Sequence, residues 1–153
     1  MPNLLIVAHA PSDNTRILLD AVVRGASHPD INAVALRIKA PLEAGPDDLI
    51  WAQGLILGTT ENFGSMAGLM KDFLERIYYP CLEKTQGLPY ALYIRAGNDG
   101  LGTRTAMERI ISGLGWQPAQ PPLLLAGEFH PGFAASCEEL GQTMAAGLEA
   151  GVF

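Results

Sequence analysis

The sequence predicts one α/β domain, a parallel five-stranded sheet with helices on both faces. Three observations carry that expectation. Short apolar runs alternate five times with segments of helical periodicity. The runs near residues 4–8 and 55–57 are continuous Leu, Ile and Val, as strands buried on both faces must be. Loops rich in Gly, Asn, Ser and Thr follow three of these runs, where crossovers to helices leave the sheet.

The first strand is read at Asn3–Ala8. A helix then runs from Thr15 to roughly Ala26, because Ile17, Leu18, Ala21 and Val22 recur at helical spacing. Gly25, Ser27, His28 and Pro29 end it. Residues Asn32–Ile38 alternate, which suits a half-covered strand towards an edge. Pro46-Asp47-Asp48 opens a short helical turn through Ala52, with proline at the first position and acids in the first turn as start signals.

Leu55–Gly58 is the next buried strand, and the loop Thr59–Met66 follows it. A helix is expected from about Ser65 to Tyr78, with Met66, Leu69, Met70, Phe73, Leu74 and Ile77 as its apolar stripe. The fourth strand is Leu88–Ile94, its loop Arg95–Gly102, and its helix Thr103 towards Leu114. Pro121–Ala126 is the fifth strand, with prolines at its start where no ladder donor is lost. A last helix runs from about Ala134 to Leu148. With no repeat, linker or low-complexity tract, residues 1–153 are expected to form a single domain.

Composition narrows the partners. A formal charge of −6 argues against nucleic-acid binding, which needs basic surface to neutralise phosphates. No run is long enough to span a bilayer, and residues 1–9 lack the basic start of a secretory signal, so a cytoplasmic protein is expected. Cys81 and Cys137 have no C-x-x-C spacing and read as free thiols in a reducing compartment. No metal-ligating constellation is read.

The chemistry is expected in three loops. His9 to Thr15 joins the first strand to the first helix, whose leading amides have no internal partner and sit at the positive end of the dipole. Ser12, Asn14 and Thr15 add side-chain donors. The loop lacks the Gly-Lys-Ser/Thr ending of a triphosphate site and the G-x-G-x-x-G spacing of a dinucleotide fingerprint. It therefore reads as a site for a terminal phosphate. With strand order 2-1-3-4-5, this loop, Thr59–Met66 and Ala96–Gly102 leave adjacent strands and line one crevice.

These residues resemble the flavodoxin-like superfamily, a three-layer sandwich that binds flavin mononucleotide (FMN). Ser12-Asp13-Asn14-Thr15 is similar to its phosphate loop, with Ala10 in place of the first hydroxyl and Asp13 in place of the usual Gly. Gly58-Thr59-Thr60-Glu61-Asn62-Phe63-Gly64-Ser65-Met66 looks most like the tryptophan-repressor-binding-protein type of NAD(P)H:quinone oxidoreductase. The resemblance implies that Ser12, Asn14, Thr15 and the amide of Asp13 hold the phosphate. It places Thr60, Glu61, Asn62, Phe63 and Gly64 along the isoalloxazine, with Phe63 in apolar contact. Ala96, Gly97, Asn98 and Asp99 take the pyrimidine edge, and Gly100 lets the backbone approach. Three or four charge-assisted bonds of roughly 1.5–3 kcal/mol would match the about 8 kcal/mol of a micromolar site without a basic side chain.

His130, after the fifth strand, is the candidate to reach the flavin and steer a hydride acceptor or proton; it reads equally as a surface-loop histidine. His9 reads as structural, and Tyr78 and Tyr79 as packing or interface residues. The third loop offers no Trp or Tyr, so one ring face is left open for a nicotinamide and then an acceptor. The expected activity is two-electron, NAD(P)H-dependent reduction of a quinone-like or flavin acceptor. The alternatives are a flavodoxin-type carrier serving a redox partner protein, and a non-catalytic flavin-binding or partner-binding regulator. A homodimer, common in the resembled enzymes, would close the crevice.

Overall fold

The computed structural model describes residues 1–153. Five helices and seven strands follow one another along the chain. The strands are β1 (Asn3–Ala8), β2 (Ala35–Lys39), β3 (Gly54–Asn62), β4 (Ser65–Met66), β5 (Pro89–Ala96), β6 (Gln117–Pro118) and β7 (Leu123–Ala126). The helices are α1 (Asp13–Ala26), α2 (Pro46–Trp51), α3 (Gly68–Cys81), α4 (Leu101–Leu114) and α5 (Pro131–Glu149).

Parallel pairing joins β2 to β1, β1 to β3 and β3 to β5. Both β6 and β7 then pair with the far side of β5. The five expected parallel strands thus occur in the expected sequence across the sheet, but the count of five is corrected to seven. Proline is one reason. Pro118, Pro121 and Pro122 lack the N–H that a ladder needs, so the edge breaks after β6 and resumes at Leu123.

The seventh strand, β4, replaces the expected start of the third helix. Residues 61–62 turn back on 65–66 as an antiparallel hairpin. Phe63 and Gly64 make the turn with φ of 52° and 76°, the left-handed pair of a tight two-residue hairpin. Met66 therefore packs from a strand, and α3 starts at Gly68. The second strand is also displaced from the 32–38 reading, because the Glu149 carboxylate accepts the amides of Asn32 and Ala33 at 2.7 and 2.8 Å. Those two residues are held off the sheet by the last turn of α5.

Side-chain alternation distributes the core to two faces. Leu5, Val7, Leu55, Leu57, Leu92 and Ile94 face α3 and α4. Leu4, Ile6, Ile56, Ala91 and Tyr93 face α1 and α5. The continuous apolar run of β1 is explained by burial of Leu4 to Val7 on both faces. Ile17 and Leu69, expected on buried stripes, are exposed instead. No helix is long and apolar enough to cross a membrane.

Two glycines let α1 and α5 pack closely. A β-carbon at Gly25 would run into the backbone of Glu138, and one at Gly141 into the carbonyl of Val22. Arg24 and Glu138 pair across the same contact at 2.9 Å. Helix α1 is thereby braced along its back, which fixes where its N-terminus points.

Candidate functional site

The three expected loops do come to one edge. Ala8 is paired with Gly58, Thr59 with Ile94 and Thr60 with Arg95, so β1, β3 and β5 end side by side. The amide of His9 continues the first pairing by donating to the Gly58 carbonyl at 2.9 Å. Partial burial lowers the His9 imidazole pKa below its ordinary 6.5, which keeps the ring neutral at pH 7.

The first loop is arranged around Ser12, the N-cap of α1. Its Oγ accepts the Thr15 amide at 3.2 Å, and Thr15 Oγ1 accepts the Ser12 amide at 2.9 Å. The two hydroxyls lie 2.9 Å apart, and the Thr15 hydroxyl donates to the Ser12 carbonyl at 3.0 Å. Of the expected side-chain donors Ser12, Asn14 and Thr15, the Thr15 hydroxyl is the one engaged within the loop through donation to a backbone carbonyl. Thr15 is buried and bound to Ser12, so it shapes the loop, while Asn14 remains exposed. The amides of Asp13 and Asn14, first in the helix, have no preceding carbonyl within reach of the helical ladder. The Asp13 carboxylate is exposed in the first turn, where the helix dipole favours it.

The second loop is the hairpin. Buried Thr59 ties its exit, donating to the Thr60 carbonyl at 3.0 Å and accepting the Ala67 amide at 3.2 Å. Thr60 donates to Asn62 Oδ1 at 3.1 Å. The Phe63 ring projects fully into solvent from a left-handed backbone. A bulky residue held this way is strained, and such strain is concentrated at binding sites. Thr59 carries no sequence signal for this role, because its burial depends on the hairpin.

The third loop supplies backbone donors. None of the amides of Gly97, Asn98, Asp99 and Gly100 finds an acceptor in the protein. The Asp99 side chain is committed elsewhere, accepting the Leu101 amide at 3.0 Å at the start of α4. Asp99 therefore offers its backbone rather than its carboxylate. The Ala96 carbonyl accepts Gly127 N–H at 2.9 Å, so Ala96 anchors the loop. Beside it Arg95 donates to the carbonyls of Ala96 and Leu125, with its guanidinium 5.1 Å from the Phe133 ring. In the first turn of α4 the Thr103 hydroxyl is fully buried without a partner.

His130 stands apart from these donors. It is the N-cap of α5, its Nδ1 accepts Gly132 N–H at 3.1 Å, and its ring lies 4.0 Å from Phe133. One ring nitrogen is therefore committed to capping. It follows β7, which is separated from β3 by β5, so it is nearest in the sheet order to the third loop alone.

The donor set fits a phosphorylated ring. Unpaired amides and a hydroxyl sit at a helix N-terminus, a second group of amides lies two strands away, and an exposed aromatic stands between them. Each end presents donors, as a phosphate and the carbonyl edge of a heterocycle require.

No family model matches the chain. A flavodoxin of Aquifex aeolicus (strain VF5) is 25% identical over 112 residues, which are 73% of this chain and 60% of that protein. The chain thus matches less than two thirds of the length of that relative. Among solved structures, a flavodoxin from the domain Archaea superposes with a TM-score of 0.80 at 18% identity, covering 96% of this chain and 99% of the other. A WrbA-like flavodoxin from Agrobacterium tumefaciens gives 0.72 at 16% identity, with 99% of each chain covered. The two-electron reduced flavodoxin of Megasphaera elsdenii gives 0.76 at 15% identity, covering 94% and 98%. Likeness over nearly the whole chain, together with the sheet order and three converging loops, shows that this protein has the flavodoxin-like fold.

Proposed function

We propose that the crest formed by the three loops binds FMN and that the chain is a flavin-dependent redox protein. The run of acceptorless amides at Gly97–Gly100, level with the helix N-terminus of α1 on the same sheet edge, is the observation that carries this reading. Bound flavin would supply the hydride chemistry, and the protein would bind, orient and shield it. The amides of Asp13 and Asn14, the Asn14 side chain and the Ser12 hydroxyl would hold the phosphate. Glu61 to Gly64 would follow the ring, with Phe63 covering it, and the amides of residues 97–100 would meet the pyrimidine edge.

Phe63 is the one aromatic side chain in the three loops, which leaves the other ring face open to a nicotinamide and then to an acceptor. That favours a two-electron NAD(P)H-dependent reductase acting on a quinone-like acceptor. Titration of the purified chain with FMN, followed by quenching of flavin fluorescence, should saturate at micromolar concentration. NAD(P)H should then be consumed with a quinone faster than free FMN allows. Fluorescence unchanged through the micromolar range would overturn the flavin site.

The second reading is an electron carrier. Phe63 and Leu101 are both exposed near the crest, and an apolar rim on a chain of charge −6 suits a redox partner protein. The similar proteins named flavodoxins favour it too. Reduction in two separate one-electron waves, with slow NAD(P)H consumption, would select the carrier.

A further inference from the structure

An open surface groove that the flavin reading does not use runs between helices α3 and α4. It consists of two adjoining concavities of about 480 and 400 Å³, which share Lys71, Arg109 and Ile110. Leu74, Tyr78 and Ile110 line the part farther along α3, and Tyr79 stands there. The near end is lined by Ser65 and Met66, the strand that folds back in the crest hairpin. The groove therefore leads away from the place where the flavin ring would lie.

Its walls have a specific chemistry. The Tyr78 hydroxyl occupies the space where a side chain at Gly113 would begin, so that ring is packed in place. Tyr79 meets it edge-on, with centroids 5.2 Å apart and planes at 82°, yet is 79% exposed. The exposed Tyr79 ring suits stacking of a flat ring. Arg109 is exposed and outside the ion pairs of the neighbouring residues, which join Arg104 to Glu108 and Lys71 to Glu75. The Lys71–Glu75 pair is loose, at 3.6 Å. Two cations against the single carboxylate of Glu75 make the groove locally positive on a chain of net charge −6. From Gly68 to Tyr79 the helix advances about 16 Å, at about 1.5 Å per residue. That is the scale of an extended dinucleotide.

We propose that the α3–α4 groove binds the adenylate half of a nicotinamide dinucleotide. Arg109 and Lys71 take the diphosphate, Tyr79 takes the adenine, and the nicotinamide end passes Ser65 to the crest. The assignment of the nicotinamide end rests on the flavin reading above, whereas the adenylate site does not. Arg and Lys side chains pair with phosphate oxygens, and an aromatic face beside them can take a flat base.

The test uses ADP, which contains the diphosphate and adenine but no nicotinamide. Isothermal titration of the whole chain, with and without FMN, should give the same ADP affinity. NADPH should compete with it. Arg109→Glu should raise the ADP dissociation constant at least tenfold, Arg109→Lys should restore most of the loss, and Tyr79→Ala should weaken binding several-fold. FMN affinity and thermal midpoint should be unchanged in all three, since both positions are exposed. An ADP affinity indifferent to Arg109→Glu, or abolished by FMN, would overturn the groove. ADP binding that depends on Arg109 in a chain that rejects FMN would retain the groove and sink the flavin site. FMN binding with no ADP binding would do the reverse.

Discussion

The carbonyl oxygen of Gly64 occupies the place where a β-carbon of Gly102 would sit. The tip of the hairpin after β3 is thereby seated on the first turn of α4, and two of the three crest loops are held as one unit. Gly64 supplies the left-handed backbone of the hairpin turn, whereas Gly102 lies in a regular helix that does not itself call for glycine. Their contact is what gives the crest its shape.

Gly102→Ala should force the hairpin away from α4. Overpacking of this kind costs about 1–3 kcal/mol. Urea unfolding should show that loss, and FMN affinity should fall about tenfold or more. A variant that loses stability while binding FMN as before would detach the contact from the site.

Phe63→Gly separates stability from binding. A left-handed backbone costs an ordinary residue roughly 1–2 kcal/mol, and glycine's extra freedom in the unfolded chain costs roughly 0.5–1 kcal/mol. The Phe63 ring buries nothing in the free protein. The flavin-free variant should therefore be as stable as the parent or slightly more so, while FMN binding weakens several-fold. Denaturation and flavin titration of the same preparation check both halves.

Ser12→Ala tests the phosphate end. Removing the cap should cost about 0.5–2 kcal/mol of stability. It should weaken FMN binding while leaving the affinity for riboflavin, which has no phosphate, nearly unchanged. Equal weakening for both flavins would mean that the loop merely props up the ring site.

Asp48 gives the acid dependence. Burial raises its pKa, but the Gly45 amide and the Lys39 and Arg37 side chains outweigh this and hold it below its ordinary 3.8. Arg37 and Lys39 lie 3.0 and 3.1 Å from its Oδ1, and Arg37 also stacks on Trp51 at 4.0 Å. A carboxyl with a depressed folded pKa stabilises fully above its unfolded value, and the contribution disappears as pH falls through the folded one. Parent and Asp48→Asn should therefore differ most above about pH 4 and converge as acid is added. The loss at neutral pH should be about 1.5–3 kcal/mol, as for a charged hydrogen bond. Paired urea midpoints from pH 3 to pH 7 would show this.

Elements with a strong local signal were legible. The first and third strands carry apolar runs that only two-sided burial explains, and the amphipathic stripe of α3 locates that helix within a few residues. The hairpin was not legible as a hairpin. Ser65 and Met66 have no local preference for a two-residue strand, and Phe63 is a poor residue for a left-handed turn. Thr15 was identified as a site residue, but its commitment to Ser12 depends on both side-chain rotamers. The Asp99 carboxylate is likewise bound to the Leu101 amide, because α4 starts at Leu101 rather than at Thr103.

By itself the sequence determined the succession of strands and helices and the three donor-rich loops, because burial period and turn chemistry are local properties of the chain. Only the tertiary structure decided that Gly25 meets Glu138, that Gly64 rests on Gly102, and that β6 and β7 share one edge of β5. Those are contacts between distant residues with nothing but small size or a missing N–H to announce them, and their geometry exists only once the sheet has closed its order.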